Sequence, residues 1–253
     1  MNRFGSLVLV QMVLIGALLF ILLYKKREPV AIPYSGKENY MIRKHPFAVG
    51  AHNYTIYTLE NLLTPQECEL LRIAAASTLR RSGTISKNPI SDVRTSQNTF
   101  LNTTAFRGTS VHEVLQRIDH VATTISGKPL ENQEPLQVAR YLPGQYYNEH
   151  FDACVPENTE MCREDSKGHG MRYATLIVYM NDVEEGHGGE TSFPLVNARF
   201  KPKVGTGIFF FNLLPSDESK HHPLSKHAAL PLKEGVKWIC NKWIRCAPYK
   251  MHQ

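Results

Sequence analysis

One short tract in the 253 residues has the side-chain types and spacing for metal chemistry: His150-Phe151-Asp152. On an extended strand, residues i and i+2 project from the same face. The imidazole and the carboxylate therefore point together, with Phe151 on the opposite side. One histidine from a neighbouring strand would complete a set of two imidazoles and one carboxylate. That facial set leaves positions open on non-haem Fe(II). His-x-Asp occurs by chance in many chains, so its weight depends on what accompanies it.

The accompaniment is C-terminal. Ser225-Lys226-His227 offers the third ligand, and Lys237 follows ten residues later in Lys237-Trp238-Ile239-Cys240-Asn241-Lys242-Trp243. On a strand over 237–245, Lys237, Ile239, Asn241, Trp243 and Arg245 share a face. A lysine among such neighbours is costly unless it meets an anion, which a dicarboxylate cosubstrate would supply. The alternative is a lysine that snorkels to solvent at the strand end. His221-His222 competes with His227 as third ligand, but the spacing to Lys237 favours His227. Asp165, His169 and His187 are candidates for a different metal site, though none has a matching strand context.

The elements that must position these residues follow from local patterns. Thr64-Pro65-Gln66-Glu67 predicts a helix start with a capping box, and Cys68, Leu71, Ala74, Ala75 and Leu79 fall on one face. Ser110-Val111-His112-Glu113 repeats the pattern before Val114, Leu115, Ile118, Val121 and Ile125. Residues 82–104 read as a loop around a short strand. From residue 135, β-branched and aromatic runs are separated by Gly, Pro, Asn and Asp. Strands are expected at Leu136–Leu142, Tyr146–Asp152, Arg172–Asn181, Thr191–Phe193, Thr206–Phe211, Ser225–Leu230 and Lys237–Arg245. Two helices before seven strands predict an α+β domain with a C-terminal sandwich or barrel.

Composition bounds the function. With 42% apolar and 21% charged residues the chain has the means for a sizeable core, which excludes a disordered chain. Of the formal net charge of +6, Arg3, Lys25, Lys26 and Arg27 supply four, and no acid offsets them in the first 27 residues. The rest carries about +2 with no Lys/Arg run, so a nucleic-acid partner is not expected. After a short tail of residues 1–6, residues 7–24 read LVLVQMVLIGALLFILLY. That length suits a membrane-spanning signal anchor and exceeds the apolar core of most cleaved signals. Residues 25–50, with three prolines and mixed charge, read as a stalk, and residues 51–253 as the globular domain. The positive-inside rule applied to Lys25, Lys26 and Arg27 would leave that domain cytosolic. The triplets Asn53-Tyr54-Thr55 and Asn102-Thr103-Thr104 point instead to a lumen.

From about Tyr57 to Arg245 the chain resembles the 2-oxoglutarate-dependent prolyl 4-hydroxylases of the short single-domain plant, algal and large-DNA-virus type. The segments LLTPQECELL, SDVRTSQNTFL, ARYLPGQYYNEHFD, RYATLIVYMNDVEEGHGGETSFP, KPKVGTGIFFF and SKHAALPLKEGVKWICNKWI carry the resemblance in order. It implies a double-stranded β-helix (jelly-roll, cupin-like) core with the N-terminal helices packed on one sheet. It implies His150, Asp152 and His227 as iron ligands and Lys237 as partner of the distal carboxylate of 2-oxoglutarate. Thr191 and Tyr141 become that cosubstrate's hydrogen-bonding partners. Tyr147, Arg172 and Trp243 fall where the family lines the peptide groove, and Arg94 falls in a mobile loop over the peptide. Arg172 and Arg94 could bond peptide carbonyls.

The implied reaction is hydroxylation of peptidyl proline at C4 in proline-rich or collagen-like chains. Fe(II), 2-oxoglutarate, dioxygen and ascorbate would take part, with 2-oxoglutarate ending as succinate and carbon dioxide. The alternatives are an oxygenase acting on lysyl residues or on one proline of a folded protein, and a non-catalytic module that binds proline-rich peptide. Related anchored members face the secretory lumen, which implies a single-pass endoplasmic reticulum membrane protein. In that compartment Cys154–Cys162 is a plausible loop disulfide. Two departures stand out: Leu230 replaces a cysteine frequent in relatives, and residues 153–171 do not align.

Overall fold

A computed structural model describes residues 40–83, 93–156 and 159–250. The expected tail, membrane anchor and most of the stalk lie outside these residues. Among the described residues, no helix is long and apolar enough to cross a membrane.

Two sheets form the frame. The chain runs through β1 (Met41–Val49), β2 (His52–Glu60), β3 (Arg80–Arg81), β4 (Gln97–Leu101) and β5 (Leu136–Tyr141). It continues with β6 (Tyr147–His150), β7 (Arg172–Tyr179), β8 (Thr191–Phe193), β9 (Ala198–Phe200) and β10 (Gly207–Phe211). After the hairpin β11 (Leu213–Leu214) and β12 (Asp217–His221) come β13 (His227–Ala229) and β14 (Lys237–Arg245). The large sheet has the order β1-β2-β10-β7-β14-β5-β4-β3, and the small sheet β6-β13-β8-β9.

Period-two alternation divides the large sheet's residues between two cores. On one face Val138, Leu176, Val178, Phe209, Cys240 and Ile244 pack against two helices, α1 (Pro65–Ala76) and α2 (Ser110–Ser126). The other face gives Ala139, Tyr141, Ile177, Tyr179, Phe210 and Ile239, which meet Phe193 and Ala229 of the small sheet. The helices thus support one face while the other is free for chemistry. Gly205 fixes a corner of this frame. Its φ is +73°, an added Cβ would lie 2.0 Å from Leu63 O, and its own carbonyl accepts from Leu62 N and Leu63 N.

Several expectations shift. The α1 capping box is present, with Thr64 Oγ1 accepting from Glu67 N and Glu67 accepting from Thr64 N. In α2 the cap is Thr109, one residue earlier than expected, and it accepts from His112 N. The residue three places on is then His112, so no reciprocal box forms. The span read as stalk, residues 25–50, contains β1, which pairs with β2 along all nine residues. The folded part therefore starts before residue 51. β1 is a mostly exposed edge strand, MIRKHPFAV, whose apolar residues cluster at its two ends without the period-two alternation that betrays a strand. Within the unaligned segment a short helix, α3 (Glu160–Ser166), carries Cys162 of a Cys154–Cys162 disulfide.

Candidate active site

Register brings the histidines together. β6 and β13 are antiparallel, with His150 directly opposite His227 and ring centroids 4.3 Å apart. β6 ends at His150, so Asp152 stands just beyond the strand, not on the same strand face as expected. It reaches the histidines all the same: His150 Nε2 lies 3.8 Å from Asp152 Oδ1, and His227 Nε2 lies 3.7 Å from Oδ2. The three candidate ligand atoms fall within 4.8 Å of one another.

Each imidazole is held in one tautomer. His150 Nδ1 is 2.7 Å from Asn148 O, and His227 Nδ1 is 3.0 Å from Ser225 O. A carbonyl only accepts, so both Nδ1 atoms carry a proton and both Nε2 atoms face the centre. Burial and the neighbouring His227 hold His150 well below its ordinary pKa, in the neutral form a ligand needs. Burial alone would raise the Asp152 pKa. The two imidazoles, Arg172 and a Thr175 hydrogen bond together hold it below the usual carboxylate range. Asp152 Oδ2 accepts from Thr175 Oγ1 at 2.7 Å and from Trp243 Nε1 at 3.0 Å. Two imidazoles with Nε2 toward the centre and one fixed carboxylate are a donor set that suits Fe(II).

A narrow pocket behind the triad is lined by Tyr141, Thr191 and Lys237. Lys237 stands opposite Tyr141 at the start of β14 and is 1% exposed. Its Nζ has no hydrogen-bond partner. The Tyr141 and Tyr179 ring centroids lie 5.2 and 5.8 Å from it. Burial pushes its pKa down to about 7, against the opposing pull of Glu190. Thr191 Oγ1 is 2.7 Å from the Tyr179 hydroxyl. A buried ammonium without a partner, beside hydroxyls and near an open metal site, fits a dicarboxylate that also chelates the metal. Lys237 therefore does not snorkel to solvent.

Adjoining the triad, a cleft of about 690 Å³ opens to solvent. Tyr147 stacks on His150 at 3.6 Å between ring centroids. Trp243 lies under the Arg172 guanidinium at 3.6 Å. Tyr147 and Trp243 thus give the cleft aromatic walls beside the metal ligands.

A protein of Acanthamoeba polyphaga mimivirus that bears the name prolyl 4-hydroxylase is 35% identical to this chain over 189 residues, 75% of this chain and 73% of that protein. This chain belongs to the prolyl 4-hydroxylase family. The sequence profile of the 2OG-Fe(II) oxygenase superfamily matches residues 136–245, the stretch from β5 to the end of β14. The viral collagen prolyl hydroxylase of Paramecium bursaria Chlorella virus-1, solved as a 2OG complex, superposes with a TM-score of 0.58 and 33% identity. It covers 75% of this chain and 95% of that one. Human prolyl 4-hydroxylase subunit alpha-1 is 34% identical over 75% of this chain, which spans about a third of that subunit's length.

Within this prolyl 4-hydroxylase fold, Arg172 and Arg94 both line the cleft. Arg172 gives Nε and Nη2 to the Glu134 carboxylate at 2.7 and 2.9 Å. That pairing holds the guanidinium over the Trp243 ring. Arg94 is 6% exposed. It donates to Gln137 Oε1 at 2.8 Å and lies 4.9 Å from the Tyr147 centroid. It is a pinned wall of the cleft, while residues 84–92 before it lie outside the described residues.

The competing metal candidates separate. Asp165 bonds Arg245, His169 Nε2 bonds Asp165 O, and His187 sits near Glu184 and Glu234. His222 Nε2 bonds Asn53 O, and His221 packs on Phe151, which leaves the third place to His227. Sequence reasoning missed Thr175, Glu134 and Gln137. All three act through tertiary pairing of β5, β7 and β14, which no spacing within one strand reveals.

Proposed function

We propose that the chain hydroxylates C4 of peptidyl proline in proline-rich or collagen-like segments. Each turnover would consume one 2-oxoglutarate and one dioxygen and release succinate and carbon dioxide. The observation that carries this reading is the placement of the unpartnered Lys237 ammonium and of an aromatic-walled cleft against one two-histidine, one-carboxylate triad. Bound iron and 2-oxoglutarate supply the oxidative chemistry. The chain does the rest. His150, Asp152 and His227 hold the metal, with their lone pairs set by the carbonyls behind them. Lys237 takes the distal carboxylate, and Thr191 and Tyr141 flank it. Tyr147 and Trp243 present flat faces to a prolyl ring on a polyproline II chain. Arg94 and Arg172 line the same cleft, where they would bond the peptide's carbonyls.

The reading extends to ascorbate as reductant and to anchoring through residues 7–24 with the domain in the secretory lumen. The apolar run, the two N-x-T triplets and the Cys154–Cys162 disulfide support a lumenal site. The test is 2-oxoglutarate turnover with Fe(II) and ascorbate, with and without a proline-rich peptide, and with His150→Ala alongside. The expected result is peptide-stimulated succinate release and a mass gain of one oxygen atom on proline. Turnover that leaves the peptide unmodified would discard the substrate and keep the oxygenase.

A further inference from the structure

The helix-packed face of the large sheet holds a second cleft, of about 640 Å³. Its floor is anomalous. Cys240 and Ile244 on that face of β14 belong to the apolar core, but Lys242 between them is a buried cation, 3% exposed. Lys242 Nζ lies 2.5 Å from Asp119 Oδ1 and donates to Glu134 O at 2.9 Å. The Lys242 and Asp119 charges are thereby paired, and the Glu134 carboxylate is taken by Arg172 and Arg245, so these three offer little to an ionic ligand. Beside them Gln133 is 8% exposed. Its Nε2 donates to Asp119 O and Thr123 Oγ1, and its Oε1 is buried without a partner. A buried carbonyl oxygen left unpaired calls for an O–H or N–H from an occupant. Beside His120, the walls add amides and a hydroxyl from Asn102, Gln116 and Thr123 and the flat or apolar surfaces of Tyr249 and Leu130.

We propose that this cleft binds a neutral polyhydroxyl ligand, a saccharide. Hydroxyls that both donate and accept match a lining of amides and hydroxyls, and a sugar's C–H face matches Tyr249. The cleft volume falls in the range of small-molecule sites. Two sources share this chemistry. One is a free sugar. The other is a glycan on Asn102, the asparagine of an N-x-T triplet at the rim, whose Oδ1 is taken by Thr104 N and Thr104 Oγ1.

The test uses the full chain from a host without N-glycosylation and from one with it. Di-N-acetylchitobiose is titrated by calorimetry and ligand-observed NMR, with phosphate and free proline as comparators. The unglycosylated protein should bind the disaccharide and neither comparator. Gln133→Leu should weaken binding at least about tenfold, as expected when a buried partner for a hydroxyl is lost. Gln116→Ala, at an exposed rim position, should weaken it severalfold without risk to the core. If the source is the chain's own glycan, protein from the glycosylating host should show Asn102 modified and refuse the free sugar, and enzymatic trimming should restore binding. The proposal is overturned if the unglycosylated protein binds no saccharide, if the two variants bind as wild type does, or if phosphate or proline binds more tightly.

Discussion

Replacing Lys237 by Met should make the ligand-free protein more stable while it loses its cosubstrate. In the unfolded chain this lysine titrates near 10.5, and in the folded one near 7. Holding it in the protonated form at neutral pH therefore costs the native state about 4 kcal/mol at most. Relaxation and water entry reduce the figure, so we expect a gain of about 2 kcal/mol on substitution by an apolar side chain of similar length. For a domain of this size that corresponds to a rise in Tm of about 4–8 °C. The gain depends on pH with a defined sign. Between about 7 and 10 the unfolded wild-type chain binds the proton that the folded one has released. Wild-type stability therefore rises over that window relative to the variant, and the advantage of Lys237→Met shrinks by pH 9. The affinity effect runs the other way. Removing the cation that meets a buried carboxylate costs about 2–5 kcal/mol, or at least about a thirtyfold loss of 2-oxoglutarate affinity. Melting curves of metal-free protein at pH 7 and 9 and calorimetric titration of 2-oxoglutarate read both effects. A lower Tm for the variant at pH 7, or an unchanged affinity, would refute the idea that Lys237 is an unpaired cation kept for an anionic ligand.

Thr175→Val removes one of the two donors to Asp152 Oδ2. Fe(II) affinity should fall about 10–100-fold in a metal titration, with little change in fold. The double variant Cys154→Ser/Cys162→Ser opens a loop with a sequence separation of 8. It should lose about 2.5 kcal/mol on chain-entropy grounds, measured as a lower urea midpoint. Gly205→Ala forces a Cβ against Leu63 O at a positive φ and should cost about 2–4 kcal/mol, readable as reduced Tm without a specific loss of 2-oxoglutarate binding.

The part of the site legible in the sequence was the part written within single strands. His150, His227, Lys237 and Trp243 sit at spacings that a strand turns into one surface, and the antiparallel register of β6 and β13 then aligns the histidines. Asp152 was found by the same argument although it stands past the end of β6, because its place is set by Thr175 and Trp243 and not by pleat. Glu134 was invisible for a related reason. It precedes β5, and its partners Arg172 and Arg245 lie 38 and 111 residues away, so only the sheet order brings them together. β1 escaped because it is a mostly exposed edge strand whose apolar residues do not alternate. The start of α2 slipped by one residue because Thr109 and Ser110 can each cap, and local chemistry does not choose between them.

Strand β14 has no residue that faces water: all nine positions are buried. Lys237, Ile239, Asn241 and Trp243 look toward the reacting centre, while Trp238, Cys240, Lys242 and Ile244 look toward the helices. Evolution therefore has no neutral position here through which to drift. Every second substitution is a test of chemistry and every other one a test of folding. A single inserted residue would exchange the two sets and fail both tests at once. An engineer seeking a new substrate should leave this strand alone and work at the cleft walls contributed by β4 and α3, where Phe100 and Met161 are exposed.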